Sequence, residues 1–376
     1  MNIQPYPLPK KNGRMGKTFI ISGGGTGGHI FPALSIATEL KKRHPQATIH
    51  FIGASGKMEM TRVPAAGFEI TGVPIAGINR KKPWKSWNVP FKLVYALWLC
   101  RNIIKKIKPD VVIGTGGYAS GPALLMAQHM GIPTLVQEQN SFAGVTNVRL
   151  GHKANFICTA YANAEKFFPS EKVHLTGNPV REAFTKALPE QSASKTQLGF
   201  MSEKPLLLIL GGSLGASEVN KHIDKSLQLL KEQGWQLLWQ CGKLYEKEYV
   251  SKTQSGVVVS AFIDDMPAAY AAADVIVSRA GAGTLSELCL IGKPAILIPS
   301  PNVAEDHQTH NAKALSEKGA AVLIAENELD ERFTVELSAL YNSSRRGKLI
   351  GANIKKLAQP NATNDIANLI EQLTGA

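Results

Sequence analysis

One pattern constrains the fold of this sequence more than any other, and it occurs in both halves of the chain. It is a short apolar strand, then a glycine-rich turn, then a helix. In the first half, residues 17–22 precede the turn GGGTGG at 23–28 and a helix from about Ile30. In the second half, Leu206–Leu210 precedes GGSLGA at 211–216 and a helix over Ser217–Glu232. Short apolar strands that alternate with helices are typical of parallel sheets covered on both faces.

The repeated pattern predicts an α/β chain with two Rossmann-like domains whose parallel sheets face each other across a cleft. The length of 376 residues fits two to three domains of ordinary size. We place a polar tail at 1–16, the first domain at 17–178 and the second at 179–358, with the linker near 177–179. Residues 359–376 carry a last helix, which we expect to pack back on the first domain.

The net charge is concentrated in two places. The chain has 42 basic and 29 acidic residues, a net charge of +13, and nine of the basic residues lie within 77–108, which contains no Asp or Glu. Three more lie in the tail. The central apolar run 94–100 is too short for a spanning helix, and the N-terminus lacks the apolar stretch of a signal peptide. Four cysteines without a C-x-x-C pair predict buried, reduced thiols rather than a metal or redox site.

The first glycine turn has the G-x-G-x-x-G spacing of dinucleotide-binding loops but lacks the rest of that signature. A dinucleotide site needs an acid at the end of the next strand, and here that strand ends FIG at 51–53, with Glu59 the first acid after it. The turn then brings backbone close to an anion at a helix N-terminus, or is only structural. His29 directly follows this turn. It could act as a general base, donate a hydrogen bond to a ligand, or only cap and pack the helix.

Two segments of the second half could bind the rest of a phosphorylated ligand. Ser213 offers a hydroxyl in the second glycine turn, and SRAGAGTLSE at 278–287 brings small residues to the start of a helix near Thr284. Glu287 either accepts both hydroxyls of a ribose or caps that helix. No Asp-x-Asp pair lies near either turn, so we expect helix dipoles and N–H donors, not a metal, to neutralise a leaving diphosphate.

The basic segment also holds aromatic residues, which favour a membrane interface over a phosphate site. The predicted membrane-docking residues are Arg80, Lys81, Lys82, Trp84, Lys85, Trp87 and Phe91. Amphipathic rings prefer the interface, and each basic residue contributes about 1 kcal/mol near an anionic leaflet. For residues 92–108 we expect instead an ordinary helix, with Val94, Leu97 and Trp98 in the core and the lysines in solvent.

A series of motifs together resembles one family. In chain order they are GGGTGGHIFPALSIA, TGGYASGPALLMA, QEQNSFAGVTN, GNPVR, GGSLGASEVN, FIDDMPAAYAAADVIVSRAGAGTLSE and DHQTHNA, spread over residues 17–373. They are similar to the MurG family, the UDP-N-acetylglucosamine:lipid I N-acetylglucosaminyltransferases of bacterial peptidoglycan synthesis. The resemblance implies the two-domain GT-B fold and an inverting, metal-independent glycosyltransferase without a cofactor. The expected product is lipid II, with N-acetylglucosamine β-1,4-linked to the C4 hydroxyl of N-acetylmuramic acid.

The resemblance also implies site residues, motif by motif. At the acceptor side it places His29, Tyr118, Glu138 and Asn220, without settling which of them is the catalytic base; our own candidate for the base is His29. The UDP-N-acetylglucosamine site would comprise Thr26, Gly27, Gly28, Asn140, Arg181, Ser213, Ile263, Ala282, Gly283, Thr284, Leu285, Ser286, Glu287 and Gln308. In it, the backbone of Ile263 would contact uracil, Glu287 the ribose and Gln308 the sugar. The sequence departs from the family in having Gly283 where a larger aliphatic residue is common, and in its N-terminal tail.

The implied partners follow from the same resemblance. They are UDP-N-acetylglucosamine, the lipid I acceptor and anionic phospholipids of the inner leaflet, with other cell-wall synthesis proteins as further candidates and no nucleic acid. The implied location is peripheral, at the cytoplasmic face of the bacterial inner membrane.

Three rival functions fit part of the sequence. A UDP-N-acetylglucosamine 2-epimerase could share the fold and donor site without needing the aromatic–basic segment. A dehydrogenase is disfavoured by Gly53, where an acid is required. A non-enzymatic nucleic-acid binder would explain the +13 charge but not the paired glycine turns.

Overall fold

The computed structural model describes residues 16–75 and 89–375. The chain divides into two compact units, one of Met1–Val180 with Asn361–Ala376, the other of Arg181–Pro360. The first division falls next to the linker predicted at 177–179. The tail and most of the predicted docking segment, including Arg80, Lys81, Lys82, Trp84, Lys85 and Trp87, lie outside the described residues.

The first unit is built on a parallel sheet. Its strands are β1 (Thr18–Ser22), β2 (Thr48–Ala54), β3 (Glu69–Val73), β4 (Val111–Gly114), β5 (Thr134–Glu138), β6 (Phe156–Thr159) and β7 (Val173–Leu175). Its helices before the linker are α1 (Gly27–Arg43), α2 (Glu59–Ala65), α3 (Val89–Ile107), α4 (Ser120–His129) and α5 (Val145–Gly151). Within the described residues the strand order is β3-β2-β1-β4-β5-β6-β7. The order reverses between β1 and β4, which is where open α/β sheets bind ligands.

Alternate residues of each strand face opposite sides of this sheet, and both sides are covered. Phe19 and Ile21 belong to a core with α1, whereas Ile20, between them, belongs to a second core that includes Ala96 and Cys100 of α3. All three strand residues have no exposed surface. Burial on both faces explains why these strands are uniformly apolar rather than alternating.

The second unit repeats the architecture. Its strands are β8 (Leu206–Leu210), β9 (Gln236–Gln240), β10 (Val257–Ser260), β11 (Val275–Ser278), β12 (Ala295–Leu297) and β13 (Val322–Leu323). Its helices are α6 (Gln191–Gln197), α7 (Ser217–Glu232), α8 (Glu246–Tyr249), α9 (Met266–Ala272), α10 (Ala282–Ile291), α11 (His307–Ser316), α12 (Leu329–Asn342) and α13 (Ser344–Lys356). The parallel strand order is β10-β9-β8-β11-β12-β13 in the described part of the chain, so the reversal here lies between β8 and β11.

The last helix, α14 (Ala362–Leu373), belongs to the first unit. Its apolar residues Ile366 and Ile370 complete the core on the α1 side of the sheet. At the rim, Arg43 of α1 donates to Glu371 at 2.9 Å and to the side chain of Asn368 at 2.7 Å, and His44 lies 2.7 Å from the other Glu371 oxygen. Apolar burial and a part-buried ion pair thus hold this helix on the unit.

Replacing Arg43 by alanine tests how much the polar rim contributes. We expect the free energy of unfolding of the first unit to fall by about 1–2 kcal/mol, because several hydrogen bonds to one charged group are lost. Urea denaturation measures the change. The matched control is Lys42→Ala, one residue earlier on the exposed face of α1. Equal effects of the two substitutions would show that the rim contributes nothing specific.

Candidate active site

The first glycine turn joins β1 to α1 at the point where the strand order reverses. Because β1 and β4 are neighbours, the loops that follow them leave the same edge of the sheet. His29 lies in the first turn of α1, and its Nδ1 is 3.1 Å from the carbonyl oxygen of Thr115 and 2.9 Å from Oε1 of Gln139. The fold therefore places His29 against the loops that follow β4 and β5.

The hydrogen bonds of Gln139 determine which nitrogen of His29 carries the hydrogen. Nε2 of Gln139 donates to the carbonyl oxygens of Thr115, at 2.6 Å, and Gln137, at 3.1 Å, so its Oε1 faces the histidine. Both neighbours of the histidine Nδ1 are then acceptors, and the neutral ring carries its hydrogen on Nδ1. Nε2 is left as the nitrogen that can accept a proton, which is what a general base requires.

Two glycines after β4 make room for the imidazole. Gly116 and Gly117 have φ values of 93° and 77°, in the left-handed region that favours glycine. A Cβ on Gly116 would lie 2.8 Å from Nδ1 of His29, and one on Gly117 would collide with the carbonyl oxygen of Gly24. Tyr118 follows them, and its ring packs against Gly25 of the first turn. The structure thus brings His29 and Tyr118 to the same turn.

A buried carboxylate beneath the first turn was not among the predicted site residues. Glu59 has no exposed surface, and its carboxylate accepts from the backbone N–H of Gly25, at 3.2 and 3.1 Å to the two oxygens, and of Ala54, at 2.9 Å. A Cβ on Gly24 would collide with this carboxylate, and one on Gly53 with its side chain. Glu59, the acid that comes too late for a dinucleotide site, therefore supports the turn from below. The sequence did contain one indication of this role, because Glu59 is the first acidic residue after β2.

Glu138 has its carboxylate turned inward. The residue is 1% exposed. One oxygen accepts from the backbone and side-chain nitrogens of Asn140, at 2.9 and 3.2 Å, and the other accepts from Gly144 N–H at 3.1 Å and Asn147 Nδ2 at 2.8 Å. The Glu138 carboxylate therefore holds the loop after β5 in place. Asn140 lies in that loop and is half-buried.

In the second glycine turn, Ser213 is exposed between two positive-φ glycines, Gly212 at 81° and Gly215 at 95°.

Asn220, predicted at the acceptor side, lies instead in the core of the second unit. Its Nδ2 donates to the carbonyl oxygen of Cys241 at 2.9 Å and its Oδ1 accepts from the Trp239 indole at 3.0 Å. Asn220 has no exposed surface, and its two hydrogen bonds tie α7 to β9.

The turn at 279–281, which joins β11 to α10, brings the largely buried carboxylate of Glu287 to the N-terminal part of α10. α10 begins at Ala282, two residues before the start predicted at Thr284, so Ala282–Leu285 form its first turn and Glu287 lies in the second. Oε1 of Glu287 accepts from Nη2 of Arg181 at 3.2 Å, and Oε2 accepts from the hydroxyl of Tyr270 at 2.9 Å. Burial raises the pKa of Glu287, and the charge of Arg181 and the hydrogen bond from Tyr270 oppose that rise.

Tyr270 was not predicted as a site residue. It lies in α9, 17 residues before Glu287, in a segment that looks like ordinary alanine-rich core. The N-terminus of α9 is capped by Asp265, whose Oδ1 accepts from Ala268 N–H at 3.0 Å. Ile263, just before it, is buried with 6% exposure.

Gln308 stabilises the loop that follows β12. Its Oε1 accepts from the backbone N–H of Ser300 at 2.9 Å. Within this loop Glu305 and Asp306 adopt left-handed φ values of 56° and 49°, and α11 then begins at His307. This hydrogen bond to Ser300 fixes the position of the Gln308 side-chain amide.

All four cysteines are buried free thiols, as predicted from their spacing and surroundings. Burial raises the pKa of Cys100, Cys158 and Cys289 to about 12. Across residues 16–75 and 89–375, no group of three or more His, Cys, Asp or Glu side chains could hold a metal ion. In the same residues, no helix combines the length and the apolar character needed to cross a membrane.

Comparisons with known proteins agree with this geometry. Residues 19–159 match the glycosyltransferase family 28 N-terminal domain and residues 206–370 its C-terminal domain. A UDP-N-acetylglucosamine–N-acetylmuramyl-(pentapeptide) pyrophosphoryl-undecaprenol N-acetylglucosamine transferase of Christiangramia forsetii is 52% identical over 360 residues, 95% of this chain and 98% of that protein. The chain belongs to the MurG family.

Solved structures support the same assignment. The crystal structure of Acinetobacter baumannii MurG superposes with a TM-score of 0.76 at 29% identity, covering 95% of this chain and 99% of that one. A putative UDP-N-acetylglucosamine 2-epimerase from Listeria monocytogenes gives a TM-score of 0.67 at 13% identity over 95% of this chain and 96% of that one, a likeness of fold alone. The predicted fold class, α/β with the Rossmann-like pair of the GT-B type, is confirmed.

At α3 our expectation from the sequence was wrong. Val94 and Trp98 were placed in the core, but they are 68% and 55% exposed, whereas the core side of the helix carries Ala96, Cys100 and Ile104. Phe91, predicted to dock on a membrane, is 71% exposed. The hydrophobic residues of α3 therefore lie on two faces, of which one is in solvent.

Proposed function

We propose that this chain transfers N-acetylglucosamine from UDP-N-acetylglucosamine to the C4 hydroxyl of N-acetylmuramic acid in lipid I, forming lipid II. The observation that carries the proposal is the match at 52% identity to a transferase of that name, over 98% of its length. The side chains of the candidate site described above belong to the segments over which the two glycosyltransferase family 28 domains match, Arg181 excepted. The proposal assigns acceptor chemistry to the first unit and donor binding to the second.

The donor site is supported by the groups at the carboxyl ends of β8 and β11. The N-termini of α7 and α10 each carry about half a positive charge, which stabilises the phosphates of UDP and the leaving diphosphate. Glu287, whose side chain is largely buried, offers carboxylate acceptors that suit the vicinal hydroxyls of ribose, and Ser213 supplies an exposed hydroxyl.

For the chemical step we assign the base role to His29. Its Nε2 takes the proton of the C4 hydroxyl as that oxygen attacks C1 of N-acetylglucosamine, and the bond from C1 to the diphosphate oxygen breaks with inversion. Nδ1–H, held by Thr115 and Gln139, keeps the ring in the required tautomer and stabilises the imidazolium that forms. UDP leaves as the diphosphate anion, stabilised by N–H donors.

One assay tests the reaction and its rival. Purified protein is incubated with UDP-N-acetylglucosamine in the presence and absence of a lipid I analogue. We expect UDP release and a disaccharide-lipid product only with the acceptor. Epimerisation of the donor, or UDP release without acceptor at the same rate, would instead support the 2-epimerase.

We further propose that α3 docks the chain on an anionic membrane, in a peripheral position at the cytoplasmic face of the inner membrane. Phe91, Val94, Trp98, Arg101 and Lys105 are spaced three and four residues apart, so they form one stripe along the helix. The rings of Tyr95 and Trp98 stack at 5.8 Å beside it. All five stripe residues are exposed, apolar at the N-terminal end and basic toward the C-terminal end. A lipid-linked acceptor requires this kind of reversible contact.

Replacing Phe91, Val94 and Trp98 together by serine tests the docking surface. We expect the partition coefficient onto anionic vesicles to fall about 10²-fold, since three partly inserted side chains contribute about 1 kcal/mol each and 1.4 kcal/mol is tenfold. Vesicle sedimentation measures it. The control replaces three exposed residues elsewhere, Leu175, Val335 and Leu349, which are 46%, 68% and 57% exposed. Vesicle binding that survives the first triple substitution would contradict the docking role of α3.

A further inference from the structure

Four side chains of the second unit, that of Glu287 among them, form a closed ring of contacts. The Tyr270 hydroxyl donates to Oε2 at 2.9 Å, and Arg181 Nη2 donates to Oε1 at 3.2 Å. The guanidinium of Arg181 lies 4.6 Å from the centre of the Phe184 ring, and that ring meets Tyr270 edge to face at 5.6 Å and 72°. Each member therefore contacts the next, and the two donors hold opposite oxygens of the carboxylate.

The two donors differ in what can reach them. Tyr270 has no exposed surface and is held within α9 and against Phe184. The Arg181 side chain is 50% exposed, while that of Glu287 is 17% exposed. A ligand entering from solvent can therefore displace or share the arginine, but it cannot displace the tyrosine.

We propose that Tyr270 is the positioning residue of the ribose site: it holds one oxygen of Glu287 permanently, so that the remaining acceptor positions of the carboxylate are aimed at the vicinal hydroxyls of the nucleotide, with Arg181 as the exchangeable partner. This inference rests on the proposed donor site. A carboxylate has about four acceptor positions, of which the tyrosine occupies one. Two or more thus stay available for a diol once the arginine moves aside.

The hydroxyl of Tyr270 also affects the charge of the carboxylate. Among the described residues, the charged and titratable groups that act on Glu287 are Arg181, which precedes the turn Glu182–Phe184, and Tyr270 of α9. Burial raises the pKa of Glu287, and the tyrosine hydrogen bond opposes the rise. Only the ionised carboxylate accepts from both hydroxyls, so donor binding weakens as the pH falls through this pKa. Without the hydroxyl that loss occurs at a higher pH.

The test is Tyr270→Phe, which keeps the ring and its contact with Phe184 but removes the hydroxyl. Affinity is measured for UDP-N-acetylglucosamine and its 2′-deoxyribose analogue. We expect binding of the ribose donor to weaken about three- to tenfold, the size of one lost hydrogen bond of ordinary strength. Binding of the deoxy analogue should change much less, so that the discrimination between the two falls. The acid side of the pH profile should move to higher pH.

A buried tyrosine elsewhere in the unit serves as the control. Tyr249 is 3% exposed and packs against Trp239 at 5.0 Å, away from the ring of four. Tyr249→Phe is expected to leave the discrimination unchanged. If Tyr270→Phe unfolds the unit, 3-fluorotyrosine at position 270 keeps the fold and the hydroxyl while making it a stronger donor, and the acid side must then move to lower pH. Equal weakening of both donors, or an unmoved pH profile, would overturn the positioning role.

A second substitution separates this inference from the proposed function. Glu287→Gln removes the charge on the carboxyl group and is expected to weaken ribose-donor binding and abolish the discrimination. If it does so while Tyr270→Phe has no effect, the positioning role alone fails. If Glu287→Gln itself leaves the discrimination intact, the ribose site has been placed wrongly.

Discussion

His29→Ala is expected to lower kcat by about 10²-fold or more, with a much smaller change in the KM for UDP-N-acetylglucosamine. The structure gives the reason. Thr115 and Gln139 hold Nδ1–H, so Nε2 is the basic nitrogen, and the ring lies in the first turn of α1, directly after the glycine turn against which Tyr118 packs. Alanine removes the proton acceptor but leaves the glycine turn in place, so the loss belongs to the chemical step. Steady-state transfer to a lipid I analogue measures it.

Two further variants make this result specific. His29→Gln can keep a hydrogen bond to the loop after β4 but cannot take a proton at neutral pH, so it should be nearly as slow as His29→Ala. His152→Ala, at an exposed histidine of the same unit, should keep full activity. Activity of His29→Ala close to that of the unsubstituted protein would remove this residue from the mechanism.

Glu59→Ala is expected to lower the free energy of unfolding of the first unit by about 3 kcal/mol. The N–H groups of Gly25 and Ala54 lose their buried acceptor, at a cost of about 1–3 kcal/mol each. For a unit of this size the melting temperature should fall by about 6–12 °C. The turn before His29 loses its support, so kcat should fall as well. The control is Glu69→Ala, whose side chain is 85% exposed, with an expected change within about 0.5 kcal/mol.

The contact between Gly24 and Glu59 provides a second, independent check. A Cβ at position 24 would collide with the carboxylate, so Gly24→Ala is expected to destabilise the unit. In the Glu59→Ala background that collision is absent, and the same glycine substitution should cost clearly less. Additive effects in this double-mutant cycle would show that the two residues are not coupled.

Much of the fold could be predicted because its signals are local. The helix Ser217–Glu232 begins after a glycine turn and has a strong apolar face, and the structure has it at the predicted bounds. The strands β1, β4, β8 and β11 are continuous apolar runs, as both-sided burial demands. By contrast β7, a half-buried strand of three residues, and β13, of two, are too short to produce a period, and they were not predicted.

The site was only partly predictable, because motifs show which residues recur but not where their side chains turn. Glu138 and Asn220 match family motifs, yet one carboxylate is saturated by its own loop and the other side chain bridges α7 and β9. Tyr270 was overlooked for the opposite reason, since its contact with Glu287 spans two helices. Val94 and Trp98 have helical spacing, but spacing alone cannot tell a face that is covered from one left in solvent.

The return of α14 to the first unit has a consequence for how the protein is made. Its apolar residues cover part of a sheet whose first strand is translated more than 300 residues earlier. On the ribosome the second unit, a continuous segment, can fold while the first still has an open apolar flank, which only the late arrival of residues 362–373 closes. During synthesis the unit that carries His29 is therefore the first to begin folding and the last to finish.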